Sequence, residues 1–341
     1  MRKVHKWVLS LLLAGLSITL HAGEKTYLAA FWNVENLFDT VDEPLTRDED
    51  FTPTGKYQWT EERLRNKFEH LAQVINEVNP DLLGLAEIEN KAVLLQLVRG
   101  YLQRKNYAVI ERDSPDERGI DCALIYDSTL FYLKELRFHP VLLAGGDRTR
   151  EIVEAVLIPI ERRNAPDAPR LYVFVNHWPS RWGGTKETDP KRRKAAAVLR
   201  ARINVILQTH PAADILIVGD LNDHPDNASV LKVLGARPSY NKMLSLDLYN
   251  TTWPLHLNPD AGTYMHRGQW VVIDQIIISK GMLDDKGFSW VTNSTHQFLR
   301  PYLLQTSGRF KGWPFRMYAG GNYLGGYSDH LMVFCKIAWH Y

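Results

Sequence analysis

Asp81-Leu82-Leu83-Gly84-Leu85-Ala86-Glu87 is the stretch that decides the fold. Its apolar residues follow one another without polar alternation and end on a carboxylate. That is the pattern of a short strand covered on both faces, delivering Glu87 at its end. Upstream, Leu64, Phe68, Leu71, Ile75 and Val78 fall on one helical face. That helix begins near Thr60 with Glu61 and Glu62 in its first turn and stops at Asn79-Pro80. Downstream, residues 91–105 read as a second helix. Further strands are expected at Thr26–Trp32, about 122–126, 152–160 and 171–176, Ile215–Val218, Val271–Ile278 and Leu331–Ala338. A basic helix runs from about Asp189 to Gln208, with Ala195, Leu199, Arg202 and Ile206 on one face. Strands outnumber helices; some adjacent pairs look like hairpins and others are joined by helices. The mixture predicts an α/β protein with mixed sheets covered by helices. No repeat, linker or low-complexity tract divides residues 23–341, so one domain is expected there. The 341 residues, 45% of them hydrophobic, suffice for a large core.

The first 22 residues follow another logic. Arg2, Lys3 and Lys6 precede an apolar run from Trp7 to Leu20, then His21, Ala22 and Gly23. This is the layout of a secretory signal, with cleavage expected after about Ala22. The run is 14 residues, short against the roughly 20 needed to span a membrane. An uncleaved anchor is the alternative; no Cys follows the run to carry a lipid. The expected address is the periplasm or the medium. Without the three basic residues of this segment, 38 basic residues face 39 acidic ones, a net charge of −1. Any grip on a polyanion must then come from a local patch or a metal. The only cysteines, Cys122 and Cys335, sit in separate apolar stretches and read as buried thiols, although export would permit a disulfide.

Chemistry is suggested by where the polar residues fall. Apolar strands end in Asn33 and Asn36, in Glu87, in Asn176-His177 and in Asp220-Leu221-Asn222-Asp223, while Ser328-Asp329-His330 leads into another. Asp274 lies inside the apolar run Val272-Ile273-Asp274-Gln275-Ile276, where an unpaired carboxylate is costly. Polar groups at several strand ends of one sheet can meet in one crevice. Carboxylates and amides are hard oxygen ligands suited to magnesium, manganese or calcium. With histidines and a buried Asp, they suit water attack on a phosphate ester. Gly183-Gly184 and Gly320-Gly321 lack the Lys-Ser/Thr of a nucleotide-hydrolase loop, and no serine-hydrolase elbow is present.

Trp32-Asn33-Val34-Glu35-Asn36-Leu37-Phe38, Asp81 to Glu87, Asn176-His177-Trp178-Pro179-Ser180, Gly219-Asp220-Leu221-Asn222-Asp223, Ile273-Asp274 and Ser328-Asp329-His330 stand in the order of the endonuclease/exonuclease/phosphatase superfamily. The chain resembles its secreted bacterial members over about residues 27–338. The resemblance implies a four-layer sandwich, two mixed β-sheets face to face with helices outside. It implies Glu87 as principal metal carboxylate, with Asn33 beside it and Asp329 as a further metal acid. His330 would contact the phosphate, oriented by Asp274. Asp220 and Asn222 would align water and grip the phosphate, and His177 would serve a phosphate oxygen or the leaving group. The segment 118–126 lies beside the site in the family, which nominates Asp121 and Tyr126 for substrate contact. Glu89 competes with Glu87, and Asp223 and Asn36 read as structural supports.

Past His177, Arg181, Lys186 and Lys191-Arg192-Arg193-Lys194 are interleaved with Trp178 and Trp182. They form either a solvated helix face or a guide for a phosphate backbone, with Arg181 nearest the substrate. The reading is an exported nuclease using Mg2+, with Mn2+ or Ca2+ as alternatives, on nucleic acid, with no stable protein partner and no membrane insertion once the signal is removed. A phosphatase or phosphodiesterase for an inositol phosphate or sphingomyelin is the alternative, since loops such as 39–58 and 296–327 choose the substrate. A binding module without catalysis is disfavoured because no core residue is missing.

Overall fold

The computed structural model describes residues 23–341; the expected export segment, 1–22, lies outside the described residues. The first half of the chain builds one sheet from β1 (Glu24–Leu37), β2 (Leu82–Ile88), β3 (Tyr107–Ile110) and β4 (Asp121–Asp127). The second sheet takes β5 (Phe131–His139), β6 (Ile152–Pro159), β7 (Leu171–His177), β8 (Asp214–Asp220), β9 (Ala236–Arg237) and β10 (Leu248–Asn250). The strand Asp274–Ser279 enters this sheet between β8 and β10, giving the order β5-β6-β7-β8-(274–279)-β10-β9. Val333–His340 returns to the first sheet beside β1, and the order there is (287–290)-(333–340)-β1-β2-β4-β3. β1 runs parallel to β2 and β7 parallel to β8, while most other pairs are antiparallel. Both sheets are therefore mixed.

Between the sheets, Phe31, Leu124, Val175, Val218, Ile276 and Ile337 form a dry core. Gly84 sits in this layer: a Cβ there would come within 2.8 Å of Val218 and 3.1 Å of Phe31, so the missing side chain lets the sheets approach. On the outer face of the first sheet lie α1 (Glu61–Val78) and α2 (Lys91–Tyr101); on that of the second lies α3 (Thr185–Thr209). The expected four layers are present. Thr60 caps α1 by accepting the Arg63 N–H, and Asn79 closes it in a left-handed conformation, bonding to the Ile75 carbonyl. α2 ends at Tyr101, four residues earlier than the expected 105; α3 begins four residues earlier than expected and runs through Pro190.

Two local expectations are corrected. Val271–Ile278 is not one strand: Gln269–Val271 pairs in a hairpin with Tyr264–His266, and a new strand starts at Asp274. Asp274 therefore opens a strand rather than sitting within one. Cys122 and Cys335 are free, buried thiols. They lie on β4 and on Val333–His340, three strand spacings apart in the sheet order, about 14 Å at ~4.8 Å per spacing. No disulfide joins them.

Candidate active site

All the strand ends singled out by the sequence reach one edge of the sandwich. The parallel pairs β1/β2 and β7/β8 point their C-terminal ends there, and the antiparallel strands 274–279 and 333–340 begin there, with Asp274 opposite Asp220. The backbone departs from regular pairing at this edge. The β1–β2 register slips between Asn33 and Leu37, and the β2–β4 register slips between Ala86 and Ile88. Glu35, Asn36, Glu87 and Asn222 all have φ between 51° and 64°, a left-handed conformation unfavourable for residues with a side chain. Bulges of this kind re-aim side chains, and here they turn Glu87 into the crevice.

The result is a compact set. Glu87 accepts hydrogen bonds from Asn33 Nδ2 (3.2 Å) and the Asn36 N–H (3.0 Å). Asn33 Nδ2 also donates to Asp220 Oδ2 at 3.1 Å, and Asp220 Oδ1 accepts the Asn222 N–H at 2.9 Å. His177 Nε2 stands 3.6 Å from Asp220 and 3.9 Å from Glu87. His330 Nδ1 bonds to Asp274 at 2.8 Å, and its Nε2 lies 3.9 Å from both Asp220 and Asp329. Glu87, His177, Asp220, Asn222, Asp329 and His330 line one crevice of about 590 Å³. Asp274 is wholly buried behind His330.

The two histidines are driven to opposite states. Burial, with Arg150 and Arg118 nearby, holds His177 well below the ordinary imidazole range. Burial also acts against the His330 cation, but Asp274, with Asp329 and Asp220, outweighs it and holds that ring well above the range. Burial and the Asp274 charge push the Asp220 carboxyl up to about 7. Below the site, the buried Lys67 amine donates to the carbonyls of Val34, Glu35 and Tyr327, stapling β1 to the chain before His330. Arg316 bridges Glu35 (3.1 Å) and Asp329 (2.9 Å), while Trp32 Nε1 donates to the His330 carbonyl.

Three sequence expectations are revised, for Tyr126, Asp121 and Arg192. Tyr126 pairs with Leu82, at the opposite end of β2 from Glu87, and is packed between the sheets; it cannot reach the crevice. Asp121 is at the correct end of β4, but strand alternation puts it on the face of Ala123 and Ile125, under the helices, where it accepts the Ser114 N–H. Arg181 lines the crevice, and its Nε and Nη2 also brace the loop carrying Asn222 by donating to the Asn222 carbonyl, Asp223 and Asn227. Arg192 is wholly buried and pairs with Asp223 at 2.8 Å, so it belongs to no surface patch. Glu89 faces away from the crevice and accepts the Asp39 N–H; burial pushes its carboxyl up to about 9. Sequence reasoning missed Tyr264, whose ring packs on His330 at 4.9 Å, and Arg118 and His224, which line the crevice. It also missed Lys67, although a lysine between Leu64 and Phe68 on an apolar helix face was a visible signal.

Acids, amides and histidines gathered at the shared strand-end edge of a two-sheet sandwich define a phosphoester-hydrolase class of protein. Residues 28–339 match the model of the endonuclease/exonuclease/phosphatase family, and the chain belongs to that family of phosphoester-hydrolysing enzymes. No curated protein matches the chain in sequence. Solved structures share its fold. D. rerio TDP2 complexed with single-strand DNA product has a TM-score of 0.55 at 14% identity, covering 92% of this chain and 98% of that one. The human Nocturnin catalytic domain with bound sulfate scores 0.53 at 17% identity, covering 92% and 94%. A Bacteroides thetaiotaomicron mannosyl-6-phosphatase scores 0.53 at 15% identity, covering 91% and 99%. The family is dependent on a divalent metal. The donors here fit one: Glu87, Asp220 and Asp329 line the crevice with hard carboxylate oxygens, and Asp220, Asp274 and His330 bring potential ligand atoms within 4.8 Å of one another.

Proposed function

We propose that the protein is an exported nuclease that hydrolyses phosphodiester bonds with the help of Mg2+. The observation that carries this reading is the crevice's continuation on one side into a second cavity of about 560 Å³, shared through Arg118, Ser180 and Trp182, whose wall carries Arg148, Arg150 and Lys191 against Asp116, Glu117 and Asp147. Trp182 is 90% exposed on the shared rim. A basic trough beside a free indole suits a strand whose phosphates track cations while a base stacks. The single-strand DNA held by D. rerio TDP2 supports the same substrate class. Export rests on the charged, then apolar, pattern of residues 1–22, and N-terminal sequencing of the mature protein checks it.

Glu87, with Asn33 and Asp329 beside it, would hold the metal, which supplies charge neutralisation at the scissile phosphate. Asp220, fixed by Asn33 and the Asn222 N–H, orients water and takes its proton. His330, kept cationic by Asp274, presents Nε2–H to a phosphoryl oxygen as negative charge grows. His177, neutral and 3.6 Å from Asp220, offers a hydrogen bond on the opposite side of the crevice.

A second reading has its own observation. A pocket of about 520 Å³, bounded by Tyr264, Phe310, Trp313, Gln305 and Asn322, opens beside Asp329 and has room for one ring. It suits a small phosphate ester such as a sugar or inositol phosphate. Residues 23–341 with Mg2+ should cut plasmid and single-stranded substrates, and chelator or His330→Ala should abolish cutting. Release of phosphate from monoesters with nucleic acid left intact would overturn the nuclease reading in favour of the second.

A further inference from the structure

We propose that the loop between β3 and β4 holds a second cation site, of calcium type, built from Glu111, Asp113 and Asp121 and separate from the catalytic crevice. Glu111 follows β3, Asp113 stands in the loop and Asp121 opens β4; each places a carboxylate oxygen within 4.8 Å of the others. Asp113 is exposed, but Asp121 is 2% and Glu111 7% exposed. Glu111 Oε1 is sealed from solvent and has no hydrogen-bond partner. A carboxylate buried without a donor is costly, and this one faces two more of the same charge.

The plain structural alternative is a loop brace, and it accounts for one oxygen only: Asp121 Oδ1 accepts the Ser114 N–H at 3.0 Å. It leaves Glu111 unexplained. The nearby arginines are committed elsewhere, and the only cation among the described residues whose charge acts on Glu111 is Lys91. Arg112 pairs with Glu151, and Arg118 with Asp116, which also holds Arg150 at 2.8 Å. Lys91, exposed at the start of α2, forms no ion pair among the described residues. Asp121 shares its strand face with Ala123 and Ile125, under α1 and α2, whereas the crevice opens at the edge of the sandwich.

Three carboxylates and no nitrogen or sulfur donor select a hard cation. A site with one member on an exposed loop suits Ca2+, which accepts six to eight oxygens in irregular geometry and fills its shell from loop carbonyls and water. The loop it would fasten carries Arg118, which lines the crevice, and Asp116, which positions Arg150. The cation would thus fix the basic wall of the trough without touching the reacting phosphate.

The test uses residues 23–341 carrying Glu87→Gln, so that the metal carboxylate of the crevice is disabled, titrated calorimetrically with CaCl2 and melted with and without it. We expect one Ca2+ bound and a Tm rise of about 3–8 °C. Adding Asp113→Asn, at an exposed position, should weaken Ca2+ binding about tenfold or more while leaving the calcium-free Tm unchanged. Adding Glu111→Gln should abolish the Tm rise. Calcium binding that is absent in the Glu87→Gln protein, or that survives both further substitutions unchanged, would overturn the site. None of these outcomes depends on which phosphate ester the enzyme cleaves.

Discussion

His330 and Asp274 show how one buried carboxylate assigns a charge state. The 2.8 Å bond to Nδ1 fixes the ring and keeps its proton, leaving Nε2–H aimed at the crevice. Replacing His330 with Ala should lower kcat by about 10²–10⁴-fold with the fold intact. Asp274→Asn should move the alkaline limb of the kcat–pH profile to lower pH, because an imidazolium without its carboxylate loses its proton sooner. A limb that stays in place would remove the pair from the chemistry. These two residues, with Glu87, Asn33, His177 and Asp220, were legible in the sequence because each stands beside an apolar run that marks a strand end. Asp121 and Tyr126 were misplaced because nearness in sequence to a motif ignores the alternation of faces and the length of a strand. Arg192 was misplaced because its burial depends on Asp223, which arrives from a different strand end.

At the scale of elements, Glu154 joins three pieces of structure. It is wholly buried on β6, and it accepts bonds from Arg202 on α3 (2.6 and 2.7 Å) and from His139 on β5 (2.6 Å). Burial alone would raise its pKa; the bonds from His139 and Arg202 reverse that and hold it near 2, against an ordinary 4.5. A folded pKa below the unfolded one contributes stability that is complete above pH 4.5 and lost as the pH falls toward 2. Glu154→Gln should therefore cost about 2–3 kcal/mol in denaturant melts at pH 7. The difference from the parent should close as the pH falls from 4.5 toward 2. An equal gap at pH 7 and pH 2 would show that the contribution is packing rather than charge. The partnership also explains why a basic residue, Arg202, shares the apolar face of α3 with Ala195, Leu199 and Ile206. The sequence displayed that face but not its acid partner, which lies 48 positions away.

Across the whole molecule, residues 23–341 carry a net charge of −1, so attraction for a polyanion must be local. If the proposed nuclease reading holds, that attraction falls to the trough wall, because Arg192 of the α3 run at 191–194 is buried on Asp223. There, Arg148 is exposed, Arg118 is exposed but 3.5 Å from Asp116, and Lys191 is paired with Asp147. Arg118→Ala and Arg148→Ala should each raise KM for single-stranded DNA and shallow the log–log salt dependence by about 0.7, with kcat on a short substrate retained. Unchanged salt dependence in both would place the substrate elsewhere. The layered architecture was readable because covered strands and amphipathic helices carry distinct periods. The pocket walls from residues 305–322 were not, because aromatic rings in an irregular loop follow no period and acquire meaning only beside Asp329. The separation of the two thiols by three strand spacings has a further consequence. A chain begun at Gly23 has no disulfide to form, and its expression in a reducing cytosol should therefore yield folded protein.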